Sequence, residues 1–303
     1  MGRREKILPY IDKNGCGIEI GPFFRPVAPK REGYNVTVID VLSREQMVDI
    51  CKKDPAKAGN IEEVDFIWRG ESYAELTGKN KYYDWIIASH LVEHTPDLIG
   101  FFNDCDAVLK DDGVLCLVIP DKRFCFDYFR PLTGLSKVID SHYHHNRVHT
   151  PGTVAEYTMN KVARAGRLGW DSCISGEYSF VYSLEDTARR MSSAREAAYA
   201  DCHAWCFTPH SFRLMIQDLF SLGLLPFQEI SFSPTEGYEF FITLGRRGRG
   251  IDKSRLEMLK IIESECRKRN YPVINDMIRR LTKPFRKIKR HMAKRRDSFS
   301  KPL

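Results

Sequence analysis

Gly17-Ile-Glu-Ile-Gly21 is followed, nineteen residues after its last glycine, by Asp40 at the end of Tyr34-Asn-Val-Thr-Val-Ile-Asp40. The first stretch reads as a buried strand running into a glycine turn, the second as a strand that ends in a carboxylate. Gly21 lets the backbone approach a ligand with no Cβ in the way, and an acid about 20 residues on can accept hydrogen bonds from ribose hydroxyls. Many buried strands end in glycine turns, so the weight of the pair comes from what surrounds it.

Working outward, Pro22-Phe-Phe-Arg-Pro-Val-Ala-Pro29 carries three prolines and leaves little room for a regular crossover helix. Residues 3–12 read as a short opening helix. Val64-Asp-Phe-Ile-Trp68 reads as a third strand. Asp84-Trp-Ile-Ile-Ala-Ser-His90 reads as a fourth, apolar enough to be buried on both faces. Thr95 then suits a helix N-cap, Pro96 the first helical position and Asp97 the positive end of the dipole. Leu98, Phe101, Phe102, Cys105, Val108 and Leu109 form one apolar face of that helix. Asp111-Asp-Gly113 ends it, and Val114-Leu-Cys-Leu-Val-Ile-Pro120 is a fifth strand. This alternation predicts an α/β fold with a doubly wound, mostly parallel, Rossmann-like sheet.

From 125 to 201 the pattern changes to helices and loops, which predicts a helical insertion after strand 5 that roofs the sheet. Thr153-Val-Ala-Glu156 and Ser183-Leu-Glu-Asp186 resemble capping boxes within it. Thr208-Pro209 opens a helix through Phe220, closed by Gly223. Gln228–Phe232 and Tyr238–Leu244 are joined by Ser233-Pro-Thr-Glu-Gly237, too short for a crossover, so this C-terminal strand pair should be antiparallel.

The composition, 43% hydrophobic and 29% charged, suits a soluble globular chain. Nine scattered cysteines argue for a reducing compartment rather than a disulfide framework. The N-terminus has no apolar run after its charges, and no stretch approaches the ~20 apolar residues of a membrane span. The expected location is cytoplasmic. The net charge of +7 is unevenly spread: residues 279–301 hold eleven Lys/Arg and one acid, leaving 7 − 10 = −3 for the rest. We therefore divide the chain into a domain over 1–250 and a basic helical tail over 251–303. In the tail, Ile274, Ile278, Leu281, Phe285, Ile288 and Met292 recur at three and four, an amphipathic stripe. Residues 274–296 are thus a candidate contact with an anionic membrane surface, peripheral at the inner face, with self-docking or a solvated tail as alternatives.

A parallel sheet finishing in an antiparallel pair resembles the class I S-adenosylmethionine-dependent methyltransferases, and the motifs agree with their small-molecule branch (the type 11 methyltransferase domain). Ile18-Glu-Ile-Gly-Pro22 resembles the family's first motif and Asp40 its ribose-binding acid. Asp84-Trp-Ile-Ile-Ala-Ser-His-Leu-Val-Glu-His94 resembles the fourth strand and its turn. Val108-Leu-Lys-Asp-Asp-Gly-Val114 with Ile119-Pro-Asp121 resembles the loop and fifth strand, and His203-Ala-Trp-Cys-Phe-Thr-Pro-His-Ser-Phe212 the penultimate helix start. The likeness spans about Gly15 to Gly245. It implies S-adenosyl-L-methionine as cofactor and methyl transfer as the activity. By analogy, the acceptor it suggests is a sugar hydroxyl on a glycan or lipid-linked glycan of surface-polysaccharide assembly. Two departures stand out: the family's second glycine is Phe23, and the first crossover is a proline-rich loop.

The candidate cofactor residues are Glu19, Gly21, Asp40, Glu71, Ser89 and His90. Glu19 either organises the Gly21 turn or meets the cofactor's ammonium, and Glu71 is either an adenine-side contact or a solvated loop acid. His94, His203 and Asp121 are the candidate catalytic groups. Each could take a proton from a hydroxyl nucleophile or simply be satisfied by its packing. His142, His144, His145 and His149 cluster without a metal-ligand spacing, and Cys202, His203 and Cys206 lack a second cysteine pair. No metal is expected, and the histidines read as a polar roof. Two other readings remain open from residues alone. One is a silent methyltransferase-like binding module, favoured by Phe23; the other is a nucleic-acid methyltransferase recruited by the tail, disfavoured by the near-neutral body.

Overall fold

The computed structural model describes residues 2–195 and 200–268. Its strands are β1 (Gly17–Ile20), β2 (Val36–Asp40), β3 (Phe66–Ile67), β4 (Tyr83–Ser89), β5 (Leu109–Pro120), β6 (Val162–Arg164), β7 (Tyr178–Phe180), β8 (Gln228–Glu236) and β9 (Glu239–Gly245). Seven of them form one sheet in the order β3-β2-β1-β4-β5-β9-β8. β1 to β5 pair in parallel, whereas β9 is antiparallel to both β5 and β8. The sheet is the doubly wound, mostly parallel arrangement with an antiparallel finish that the strand pattern predicts. Among the described residues no helix is long and apolar enough to cross a membrane.

Helices cover both faces. The α-helices among the described residues are α1 (Arg3–Ile7), α2 (Arg44–Ile50), α3 (Pro55–Ala58), α4 (Tyr73–Thr77), α5 (Leu98–Val108), α6 (Leu135–Tyr143), α7 (Pro151–Asn160), α8 (Leu184–Arg195), α9 (Pro209–Ser221) and α10 (Arg255–Lys268). On one face Ile18, Ile86, Leu115 and Leu117 pack with Phe102 of α5 and Phe212 of α9. Each such buried side chain stabilises the fold by ~1.5–3 kcal/mol. On the other face Trp85, Ile87 and Val118 pack with Ile7, Val27 and Ala28. The proline-rich loop thus supplies apolar cover on the face where a crossover helix would otherwise lie. Gly17 belongs to the same packing. It pairs with Trp85, and a Cβ on it would stand 2.1 Å from the indole ring.

Local boundaries differ from the sequence reading in several places, first at β5, which begins at Leu109, so that Asp111-Asp-Gly113 lies within the strand instead of ending α5. Asp97, not Thr95, caps α5, because its carboxylate accepts the Gly100 N–H at 2.9 Å. Thr150, not Thr153, caps α7, with Pro151 in the first turn. The insertion also carries the small antiparallel β6–β7 sheet, which no alternating apolar run announces. Where the insertion leaves and rejoins the sheet, Asp121 and Phe207 form a parallel bridge, and the Lys122 N–H donates to the Phe207 carbonyl at 2.9 Å. Residues 1–258 make one compact unit, and a second begins at Leu259 within α10. The amphipathic stripe expected over 274–296 lies outside the described residues.

Candidate active site

The strand order turns at β1, with β2 on one side and β4 on the other, so a crevice opens at the carboxyl ends of these strands. Gly21 leaves β1 with φ +63°, a left-handed conformation that an L side chain resists, and its N–H donates to the Ile39 carbonyl at 2.8 Å. Phe23 takes φ +47° two residues later. The residue that replaces the family's second glycine therefore keeps a glycine-like backbone, at the cost of local strain.

Asp40 ends β2 with its Oδ1 accepting the N–H groups of Val41 at 2.7 Å and Leu42 at 3.3 Å. Burial raises its pKa against those hydrogen bonds. Glu19 is 2% exposed and faces the loop: its carboxylate accepts from Val27 N at 2.6 Å and Ala28 N at 3.0 Å. Of its two expected roles, the geometry gives it the one of fastening the first crossover. Burial pushes its pKa up to about 7, beyond what the two backbone hydrogen bonds recover. Glu71 accepts the Arg69 N–H at 2.9 Å and so closes the turn after β3. Ser89 Oγ, at the end of β4, is buried without a hydrogen-bond partner among the described residues.

The turn after β4 carries the second half of the site. His90 takes φ +53°, and its Nε2 lies 2.8 Å from Glu239 on β9, which also holds Arg3. Burial alone would lower the His90 pKa; Glu239 and Glu93 outweigh it and raise it to about 9. The same pairing holds Glu239 down at about 2 despite burial. Glu93 is 1% exposed, and its backbone carbonyl accepts the Ala204 N–H at 2.7 Å. That bond ties the β4 turn to the segment returning from the insertion. His94 and His203 consequently sit edge to face, ring centroids 4.5 Å apart.

Each of these two rings is held by a carboxylate. His94 Nδ1 lies 2.7 Å from Asp201, and His203 Nδ1 lies 2.6 Å from Asp127. Asp127 also accepts from the fully buried Arg130 at 2.8 Å. Burial would raise the Asp127 pKa, but His203 and Arg130 hold it well below the usual carboxylate range. For His203 burial wins and the pKa falls, whereas for His94 the bond to Asp201 wins and it rises.

Asp121 does not join this pair: its carboxylate is engaged by Arg123 at 2.9 Å and Thr235 at 2.6 Å. The histidine-rich run splits up as well. His142 bonds Asp97 at 2.9 Å, His144 and His145 are exposed, and His149 is buried with its pKa pushed down to about 4, chiefly by burial. Sequence reasoning missed Asp127, Arg130, Asp201 and Glu239. The available signal was Phe126-Asp-Tyr-Phe-Arg130, opposite charges three apart inside an aromatic run.

Behind Asp201 an open cavity of about 520 Å³ lies within the insertion, lined by Tyr157, Lys161, Tyr182, Arg189 and Arg190 among others. Lys161 donates to the Tyr157 hydroxyl at 2.6 Å, and Arg190 lies 4.5 Å over the Tyr182 ring.

A family profile described as a methyltransferase domain matches residues 2–218. The chain belongs to this methyltransferase-domain family. A ubiquinone biosynthesis O-methyltransferase from Methylocella silvestris is 28% identical over 101 residues, 33% of this chain and 36% of that protein. The chain thus spans about a third of that curated relative's length. Among solved structures, a SAM-dependent methyltransferase from Aquifex aeolicus is 12% identical with a TM-score of 0.39, covering 80% of this chain and 88% of that one. One from Methanosarcina mazei is 17% identical with a TM-score of 0.40, covering 78% and 95%. These distant likenesses add nothing to the family match.

S-adenosylmethionine is the cofactor that goes with this methyltransferase domain. The residues present fit it. The Gly21 position is open, since a Cβ there would meet nothing nearer than Leu91 Cδ1 at 3.8 Å. Asp40 ends β2 next to the Gly21 turn, and the Ser89 hydroxyl, without a partner among the described residues, offers a further polar group.

Proposed function

We propose that the chain transfers a methyl group from S-adenosylmethionine to a hydroxyl of an anionic glycan. The single observation that carries this reading is Asp201, which lines the insertion cavity and also holds His94 at the end of the sheet. An acceptor in the cavity would therefore lie against the turn that borders the cofactor crevice.

The cofactor supplies an electrophilic methyl on a sulfonium, so the protein's part is binding, alignment and loss of the acceptor's proton. Gly21 and Asp40 bind the nucleoside end. Lys161, Arg189 and Arg190 suit a phosphate or carboxylate on the acceptor, and Tyr157 and Tyr182 give flat apolar walls for a sugar ring. His94, His203 and Glu93 are the groups we assign to the hydroxyl that reacts. As part of the same reading, the domain is cytoplasmic and residues 274–296 bring it to an anionic membrane carrying a lipid-linked acceptor.

Calorimetric titration with S-adenosylmethionine and S-adenosylhomocysteine tests the cofactor half. Micromolar binding should weaken at least tenfold in Asp40→Ala. A folded wild type that binds neither compound removes the reading. Labelled-methyl transfer to phosphorylated glycans, absent with their neutral counterparts, tests the acceptor half.

A further inference from the structure

Glu93 has a buried carboxylate whose two oxygens accept no hydrogen bond among the described residues. His90 Nδ1 is 3.4 Å from Oε1 and His203 Nε2 4.0 Å, spacings of ion pairs rather than aligned hydrogen bonds. A buried carboxylate left in that state is costly unless something positive completes its surroundings. His90 supplies charge, but its Nε2 is already given to Glu239.

His94 and His203 are prepared in the same way. Each has Nδ1 on a carboxylate, Asp201 or Asp127, which fixes the tautomer and leaves the Nε2 lone pair free. That carboxylate–imidazole arrangement orients histidines that ligate metals and raises their basicity. One donor atom from each of Glu93, His94 and His203 lies within 4.8 Å of the others.

We infer that Glu93, His94 and His203 bind one divalent transition-metal ion. Two imidazole nitrogens and a carboxylate suit zinc, manganese or ferrous iron better than magnesium or calcium, which favour all-oxygen sets. Donors about 2.1 Å from an ion sit roughly 3.0–3.5 Å apart. The 4.0 Å between Glu93 and His203 must therefore close by about 0.5–1 Å, and donors as far as 4.8 Å apart by more than about 1 Å, a movement that the Glu93 carboxylate, with no aligned hydrogen bond among the described residues, can share. Three protein ligands leave positions open, where an acceptor hydroxyl could bind and become more acidic. That role rests on the methyl-transfer reading, but the ion site does not. It also replaces the expectation of no metal: the histidines clustered in sequence over 142–149 scatter in the fold, and the donors that converge come from Glu93-His94 and from His203, 109 residues apart in sequence.

The test is calorimetric titration of the full chain, stripped with EDTA and desalted, with zinc chloride and manganese chloride in the absence of cofactor. One equivalent should bind at micromolar affinity or tighter. Glu93→Gln and the more exposed His94→Gln should each weaken it at least tenfold, with folding verified by circular dichroism. The double variant His144→Gln/His145→Gln should bind as wild type does. A folded, stripped wild type that takes up neither ion overturns the proposal. So does binding lost in the double variant but kept in Glu93→Gln, or magnesium binding as tight as zinc. A parallel S-adenosylmethionine titration in EDTA keeps failure of the ion site separate from failure of the cofactor site.

Discussion

At the β1–β2 end, the site is shaped by backbone: a left-handed glycine, an N–H to Ile39, and an aspartate resting on the next two amides. At the β4 turn it is shaped by side chains, with Asp127, Asp201 and Glu239 holding His203, His94 and His90. The first arrangement is made within 24 consecutive residues, Gly17 to Asp40. The second draws on segments around 90–94, 127–130, 201–203 and 239. Backbone sites tolerate many side chains so long as the chain path is kept, as Phe23 shows by adopting a positive φ. Networks of buried charge tolerate little, because removing one member strands another.

Breaking the β4 side should therefore have the larger effect. Arg130→Ala leaves Asp127 buried with only His203 to compensate it, and we expect a loss of about 3–5 kcal/mol in urea unfolding. A loss under about 1 kcal/mol would mean that the network relaxes as easily as the backbone end.

Glu19 sharpens the comparison through pH. Its pKa is about 7 folded against an ordinary value of 4.5, so between those values the folded chain binds more protons than the unfolded one. Its contribution to stability therefore falls as pH rises through that window, by at most about 1.4 kcal/mol per pH unit. Unfolding midpoints measured from pH 4.5 to 7.5 should fall less steeply for Glu19→Gln than for wild type. Parallel slopes would show that burial does not raise the pKa of this carboxyl.

Gly21→Ala should have the smallest effect on stability, about 1 kcal/mol, because the obstacle is backbone strain and not space. Its signature should instead be several-fold weaker S-adenosylmethionine binding by calorimetry.

The contrast also explains how far the sequence could be read. Gly21, Asp40 and the five main parallel strands were legible because their signals are local: apolar runs, a glycine turn, a spacing of nineteen. The antiparallel finish followed from the length of a single connection. The pairing of His94 with His203 was not legible, although both were singled out, because it depends on the Glu93 carbonyl meeting the Ala204 N–H. Nor were the carboxylates that hold them, since the spacing of Asp127 and Arg130 hints at a charge pair but not at which ring the acid meets, and Asp201 stands in no motif. In sequence Glu19 stands between two roles, and only the direction of its carboxylate toward Val27 and Ala28 separates them.

The bridge between Asp121 and Phe207 has a consequence for how such a chain could change over time. Residues 122–206 leave the sheet and return to it beside one hydrogen-bonded bridge, so the excursion is a closed loop with a fixed clasp, and bonds such as those of Ala204 to Glu93 and His142 to Asp97 hold it to the β4 turn and the start of α5. Lengthening a loop whose ends are already pinned adds little entropy cost, about 0.6 kcal/mol for each doubling of its length. The stretch that forms the cavity, α7 through α8, can accordingly be rewritten or grafted from another chain without re-laying the strands beneath. Asp127, Arg130, Asp201 and His203 would have to survive the exchange. A new acceptor preference could then arise by replacing a cassette, with the methyl-donor end inherited unchanged.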